Sequence, residues 1–121
     1  MSEVVDYLDD GYTAKVTIPA ESGVHGPLAL EYRPCLAAEQ SKMFDVMDKK
    51  GNEASTIASV ELAAAHVTKW DKKDRDGKDV PANKVTLSRL APKLLNKVLD
   101  VVIYGKLPEG ATTDVEADLK N

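Results

Sequence analysis

A segment rich in acids and closed by glycine, Lys72–Gly77, contains the residue types of a calcium loop. In the calcium-binding helix-loop-helix motif, oxygen ligands occupy loop positions 1, 3 and 5, and glycine occupies position 6. With Gly77 at position 6, Asp74 and Asp76 fall at positions 3 and 5 of the loop. Position 1 is then Lys72, a cation where the metal needs its first carboxylate. The segment is therefore predicted to be a charged turn that binds no calcium.

Two histidines and one cysteine are the remaining candidates for metal binding or nucleophilic catalysis. His25 falls in a predicted turn, Cys35 at a strand-to-helix junction and His66 on a predicted helix. Zinc needs three or four ligands, and no second histidine, cysteine or acid stands at helical ligand spacing from His66. The sequence neighbours of Cys35 offer nothing that would generate a thiolate. The sequence therefore predicts no metal, no cofactor and no enzyme, an interpretation that two of these three side chains in one cleft would reopen.

Composition and charge argue against several classes of function. The 121 residues suit one domain, and with 43% hydrophobic and 30% charged residues the chain has an ordinary globular composition. The 20 acids and 16 bases give a formal net charge of −4, whereas nucleic-acid binding depends on clustered bases. No apolar run approaches the ~20 residues that cross a bilayer, and no secretory signal is recognised. The sequence predicts a cytoplasmic protein that binds neither nucleic acid nor membrane.

Two short alternating segments predict an N-terminal antiparallel β-hairpin. Apolar and polar residues alternate from Tyr12 to Ile18 and again from Leu28 to Arg33. A period of two is typical of a half-buried strand, and the intervening Pro19–Gly26 is rich in turn residues. Because an isolated hairpin is only marginally stable in water, we expect helices to pack on its apolar face.

Three helices are predicted after the hairpin. The second helix begins near Asn52, just past a glycine stop at Gly51, and its apolar spacing continues to Trp70. A short helical turn is expected around residues 86–90, and the third helix begins at Pro92 and is capped by Gly105. The first helix carries an apolar stripe at helical spacing, formed by Leu36, Gln40, Met43, Phe44 and Met47.

These elements predict an α+β fold, mostly helical, with the hairpin packed on three helices. Residues 1–105 form one globular domain in this prediction. Residues 106–121 contain proline, glycine, threonines and several acids, a composition typical of a flexible acidic C-terminal tail.

The third helix has more apolar residues than one core-facing stripe requires. Its apolar positions from 94 to 103 extend well beyond an arc of about 100°. In one interpretation it is the central helix, covered by the hairpin and by the other two helices. In the other, Leu95 and Leu99, or Leu62 on the second helix, form an exposed strip that binds a partner or a second copy.

The order of several short motifs resembles that of a known protein family. A strand ends in Glu31-Tyr32-Arg33-Pro34, and two helices follow it. After them come Trp70-Asp71, Asp76-Gly77-Lys78 and Val80-Pro81. A leucine-rich terminal segment closes the series with Leu87, Leu90, Pro92, Leu94 and Tyr104-Gly105. Over residues 28–105 this order is similar to that of the small tail assembly chaperones and neighbouring tail-module proteins of long-tailed bacteriophages and prophages.

The resemblance implies a non-enzymatic protein of the host-cell cytoplasm. Such a protein would bind an aggregation-prone tail component, such as the tape-measure protein, until the tail tube assembles. It would also self-associate into a homo-oligomer and would be missing from the finished virion. The alternative is a structural virion component at the tail or the head–tail joint, which would remain in purified particles. No functional residue is carried over by the matching motifs.

Overall fold

The computed structural model describes residue 8 and residues 11–113 of the chain. Its elements, in chain order, are β1 (Ala14–Ile18), β2 (Leu28–Tyr32), α1 (Ala37–His66), β3 (Val67–Trp70), α2 (Lys84–Leu87), α3 (Pro92–Tyr104) and β4 (Thr112–Thr113). The strands form one antiparallel sheet in the order β3-β2-β1-β4. The predicted α+β class is confirmed, although the sheet has two strands more than the predicted hairpin.

The hairpin of β1 and β2 follows directly from the alternating sequence. Val16 pairs with Leu30, and Ile18 pairs with Leu28, so the apolar residues of both strands share one face. All four side chains are buried. Burying an aliphatic side chain of this size contributes about 1.5–3 kcal/mol, and a register shift by one residue would expose all four. The apolar alternation therefore fixes both the fold and the register of the hairpin.

Helix α1 spans 30 residues and consists of two helical halves joined by a kink at Gly51, where the sequence predicted one helix to stop and the next to begin. Gly51 interrupts it with φ 83° and ψ −178°, a backbone conformation open almost exclusively to glycine. The hydroxyl of Ser55 donates to the Gly51 carbonyl oxygen at 2.5 Å, so the turn after the kink is hydrogen-bonded. In the described residues no helix combines the length and the apolar character that a membrane span requires.

A Gly51→Ala variant should lose about 1–3 kcal/mol of unfolding free energy, since alanine is strained at this φ and ψ. An added Cβ would meet no atom within 4 Å, so backbone strain is the whole expected effect. Urea denaturation measures it. Gly26→Ala is the matched control, because Gly26 also has open space around it but no positive φ, and it should stay within about 0.5 kcal/mol. Equal stability of the two variants would contradict the kink.

The prediction that the second helix continues to Trp70 is wrong. The segment Val67–Trp70 instead forms β3, in which Trp70 pairs with Leu30 of β2. The β-branched Val67 and Thr68 and the aromatic Trp70 favour extended backbone, and pairing with β2 satisfies their main-chain groups. The Trp70 indole also donates to the Val80 carbonyl oxygen at 2.6 Å and so ties the following loop to the sheet.

The third helical region matches the prediction closely. A short helix, α2, precedes α3, which starts at Pro92 and ends at Tyr104, where Gly105 caps it with φ 68°. Four of the five buried residues of α3 pack with those of the hairpin and α1 in the main cluster, and the fifth, Ile103, packs with Cys35 and Met43 in a second, smaller cluster. The buried side chains of α3 are Leu94, Val98, Val101, Val102 and Ile103.

Two residues of the predicted C-terminal tail belong to the sheet. Thr112 and Thr113 form β4, which pairs with Thr17 and Val16 of β1. This short strand covers part of the β1 edge, whose main-chain groups would otherwise lack partners. Residues 114–121 of the predicted tail, and residues 1–7, 9 and 10 of the predicted domain, lie outside the described residues.

Candidate functional site

Three side chains with metal-binding or catalytic chemistry meet where α1 begins and ends. Cys35 lies between β2 and α1, Glu39 lies in the first turn of α1, and His66 is its last residue. One ligand atom from each of the three lies within 4.8 Å of the other two. We call these residues the Cys35–Glu39–His66 cluster. The structure thus brings together two residues, Cys35 and His66, that the sequence analysis treated separately.

Backbone contacts from the end of β2 hold the cluster in place. The Arg33 amide donates to the His66 carbonyl oxygen at 2.8 Å, and the Arg33 guanidinium donates to the Ala65 carbonyl oxygen at 2.9 Å. The Cys35 amide donates to the Val102 carbonyl oxygen of α3 at 3.3 Å. The cluster therefore lies at the point where β2, both ends of α1 and the end of α3 converge.

Both ring nitrogens of His66 have partners, although the residue is only 8% exposed. Nδ1 lies 2.5 Å from the Arg33 carbonyl oxygen, and Nε2 lies 2.7 Å from Oε2 of Glu39. The Leu36 amide donates to Oε1 of Glu39 at 3.0 Å; this bond, together with the contact to His66, holds the pKa of Glu39 below its usual value. Because a carbonyl oxygen only accepts hydrogen bonds, Nδ1 of His66 donates to Arg33, and Nε2 faces the Glu39 carboxylate.

The Cys35 thiol is close to His66 but is not activated as a nucleophile. Burial, and then the negative charge of Glu39, raises the pKa of Cys35 to about 12. The His66 nitrogens bond to Arg33 and Glu39, so neither is placed as a base for the thiol. A catalytic cysteine needs a thiolate or an adjacent base. Cys35 and His66 lie close together, but only His66 lines the neighbouring cavity, so the arrangement favours no thiol chemistry, and the absence of activity stays a prediction.

The other candidates from the sequence lie outside this cluster. His25 lies in the turn between β1 and β2, where its Nε2 accepts a hydrogen bond from Lys97 at 2.8 Å. In the acidic segment, the Asp74 carboxylate accepts hydrogen bonds from the amides of Asp76 at 2.8 Å and Lys78 at 3.0 Å. Asp74 thereby stabilises a tight turn, as the charged-turn interpretation expects.

A second feature is an exposed apolar surface on the first half of α1. Within the apolar stripe predicted from the sequence, Met43 is buried at 4% exposure. Three other members of the stripe face solvent: Leu36 is 53% exposed, Phe44 58% and Met47 49%. At 100° per residue these three lie within an arc of about 80° next to Met43. The stripe thus serves the core with Met43 and leaves its other three apolar residues at the surface, while Gln40 is half-buried and donates to the Ile103 carbonyl oxygen.

The C-terminal residue of α3 extends this surface. The rings of Phe44 and Tyr104 pack with their centroids 5.4 Å apart, and the Tyr104 hydroxyl lies 3.5 Å from the sulfur of Met47. We call Leu36, Phe44, Met47 and Tyr104 the α1 apolar surface. Beside it, an open groove of about 700 Å³ is lined by one apolar ring and by small or charged residues: Ala38, Ser41, Lys42, Phe44, Asp45 and Asp48. An apolar patch with a polar rim is the usual anatomy of a protein-binding surface.

The structure places the predicted partner-binding residues at the margin of the core. Leu62, Leu95 and Leu99 are each half-buried. Leu62 and Leu99 pack against the small cluster around Met43, and Leu95 packs against the main core. Their role in binding stays a prediction. The sequence analysis missed Phe44 and Met47 because helical spacing alone does not separate a core stripe from an interface.

Comparison of the chain with known protein families, with curated proteins and with solved structures finds no match.

Proposed function

We propose that this chain is a non-enzymatic tail assembly chaperone of the bacteriophage or prophage kind, acting in the host-cell cytoplasm. Its client would be an aggregation-prone tail component such as the tape-measure protein. The observation that carries the proposal is the α1 apolar surface, where Phe44 and Leu36 are more than half exposed. The motif order over residues 28–105 supplies the type of client.

The shape of the α1 apolar surface suits a helical client. Leu36 and Met47 are eleven positions apart, which corresponds to about 16 Å along a helix. That length matches about three turns of a second helix, whose apolar residues at i, i+3 or i+4 and i+7 would lie along it. Tape-measure proteins are long and helical, so the expected occupant is one of their amphipathic segments.

The composition of the surface favours reversible binding. Aromatic residues such as Phe44 and Tyr104 dominate the energetics of protein interfaces, and methionine adapts to different partner side chains. The rim next to Phe44 carries both signs of charge, with Lys42 beside Asp45 and Asp48. Such a surface would hold an apolar helix face without demanding one sequence, as a chaperone requires.

The test is co-expression of the chain with a tape-measure protein from the same genome, followed by analysis of the soluble fraction. We expect the client to be soluble and to co-purify with the chain, and purified particles to lack the chain. A client that stays insoluble whether or not the chain is present would overturn the proposal. Retention of the chain in purified particles would instead support the alternative, a structural component of the tail or the head–tail joint.

A second copy of the chain could occupy the α1 apolar surface in place of the client. A homo-oligomer that uses the α1 apolar surface would have to dissociate before a client could bind there. Light scattering of the purified chain, alone and with client, separates the two cases. A stable oligomer that neither dissociates nor binds the client would contradict the proposed role of this surface.

A further inference from the structure

We propose that Cys35, Glu39 and His66 bind one zinc ion. A cysteine sulfur, a histidine nitrogen and a carboxylate oxygen are the three ligand types that zinc prefers in proteins. Each residue of the cluster offers one such atom, and the three come from separate turns of the chain. This inference is independent of the proposed chaperone function.

The spacing of the three ligand atoms is close to that of a tetrahedral site. Bonds of about 2.0–2.3 Å imply ligand atoms roughly 3.3–3.7 Å apart around zinc. In this structure the three atoms lie within 4.8 Å of one another, and the closest pair, His66 Nε2 and Glu39 Oε2, is 2.7 Å apart. Binding would therefore need shifts of about 1 Å, with that pair moving apart to admit the ion.

The atoms of His66 and Glu39 that would not bind the ion already make the hydrogen bonds that are typical of zinc ligands. A zinc-bound histidine usually donates its other ring nitrogen to a backbone carbonyl or a carboxylate. His66 does so through Nδ1 to the Arg33 carbonyl oxygen, which leaves Nε2 directed at the cluster. Similarly, Oε1 of Glu39 accepts from the Leu36 amide and leaves Oε2 facing inward.

An open position for a fourth ligand lies next to the cluster. A cavity of about 350 Å³ is lined by Glu39, His66 and Arg33, with Tyr12 at its wall. Zinc sites with three protein ligands keep a fourth position for water or an exogenous ligand. On binding, the Cys35 thiol releases one proton to solvent, and the thiolate, the neutral imidazole and the Glu39 carboxylate then coordinate the ion.

Cobalt(II) titration of the full-length, reduced chain tests the proposal. Cobalt replaces zinc with the same ligands, and a thiolate ligand produces an intense near-ultraviolet charge-transfer band. Since Cys35 is the only cysteine in the sequence, this band reports on Cys35 without any substitution. We expect the band together with tetrahedral visible bands at one equivalent of cobalt, and their loss when zinc is added. A titration that produces no thiolate band overturns the proposal.

Substitutions then assign the remaining ligands. Glu39→Gln and Cys35→Ser should each weaken zinc binding by at least about tenfold in a competition titration. His25→Gln is the matched control, because His25 pairs with Lys97 outside the cluster, and it should bind zinc like the wild type. Circular dichroism without metal establishes that each variant is folded. Zinc affinity unchanged in a folded Cys35→Ser variant would overturn the site, and if that variant is unfolded, the cobalt spectrum of the wild type decides.

Discussion

A Leu94→Ala variant should lose about 2–5 kcal/mol of unfolding free energy, the range for removing a buried leucine from a packed core. Leu94 is 2% exposed and joins the sheet residues of the main core from the first turn of α3. Since a domain of this size is stable by only about 5–15 kcal/mol, the loss is a large fraction of the total. Urea denaturation with a two-state analysis measures it.

The adjacent Leu95→Ala variant is the matched control. It removes the same atoms from the same helix, but Leu95 is half-buried at the margin of the core. The expected loss is clearly smaller, because less apolar surface returns to water and the space can fill with solvent. Equal losses at the two positions would contradict the described orientation of α3. A Leu95→Ala variant that is stable but no longer binds client would support the partner-binding role predicted for Leu95.

A Phe44→Asp variant should lose client binding while keeping its fold. Phe44 is 58% exposed, so a carboxylate at this position stays in water and costs the folded state little. In a complex the same carboxylate would be buried against an apolar helix face. Replacing a central aromatic anchor typically costs about 2 kcal/mol or more of binding free energy, a factor of about 30 in Kd. Titration of a labelled client segment measures this change, and urea denaturation measures stability.

The control for the Phe44→Asp variant is Val24→Asp, which introduces the same charge at another exposed apolar position. Val24 is 39% exposed, and its neighbour His25 contacts Lys97, seven residues before Tyr104 on α3. The contact that places this turn on α3 is therefore about two helical turns away from Tyr104 and the α1 apolar surface. Val24→Asp should bind client like the wild type. If both variants lose binding equally, the effect is one of net charge, and the proposed surface is wrong.

The parts of the fold that the sequence predicted are those with a local physical cause. The hairpin follows from the alternation between Tyr12 and Arg33, and the kink and the helix end follow from Gly51 and Gly105. Strand β3 was missed because Val67 and Trp70 are also at helical spacing and four residues are too few to reveal an alternation. Its strand state depends on pairing with β2, a contact that local sequence does not contain.

The candidate sites were harder to predict because they depend on tertiary structure. Glu39 and His66 are 27 residues apart, and α1 brings them together only because its two ends meet at Arg33. For the α1 apolar surface, the residues were recognised as apolar and helical, but their exposure could not be predicted. The sequence could not show that the core covers Met43 and stops short of Phe44.

The most direct test of the central claim is site-specific photocrosslinking from position 44 in cells that produce the tail proteins. With benzoylphenylalanine in place of Phe44, we expect a crosslink to a helix-rich tail protein, identified by mass spectrometry, and no such crosslink from position 24. Absence of that crosslink at position 44, or a crosslink only to a second copy of the chain, would contradict the claim that the α1 apolar surface binds a tail component.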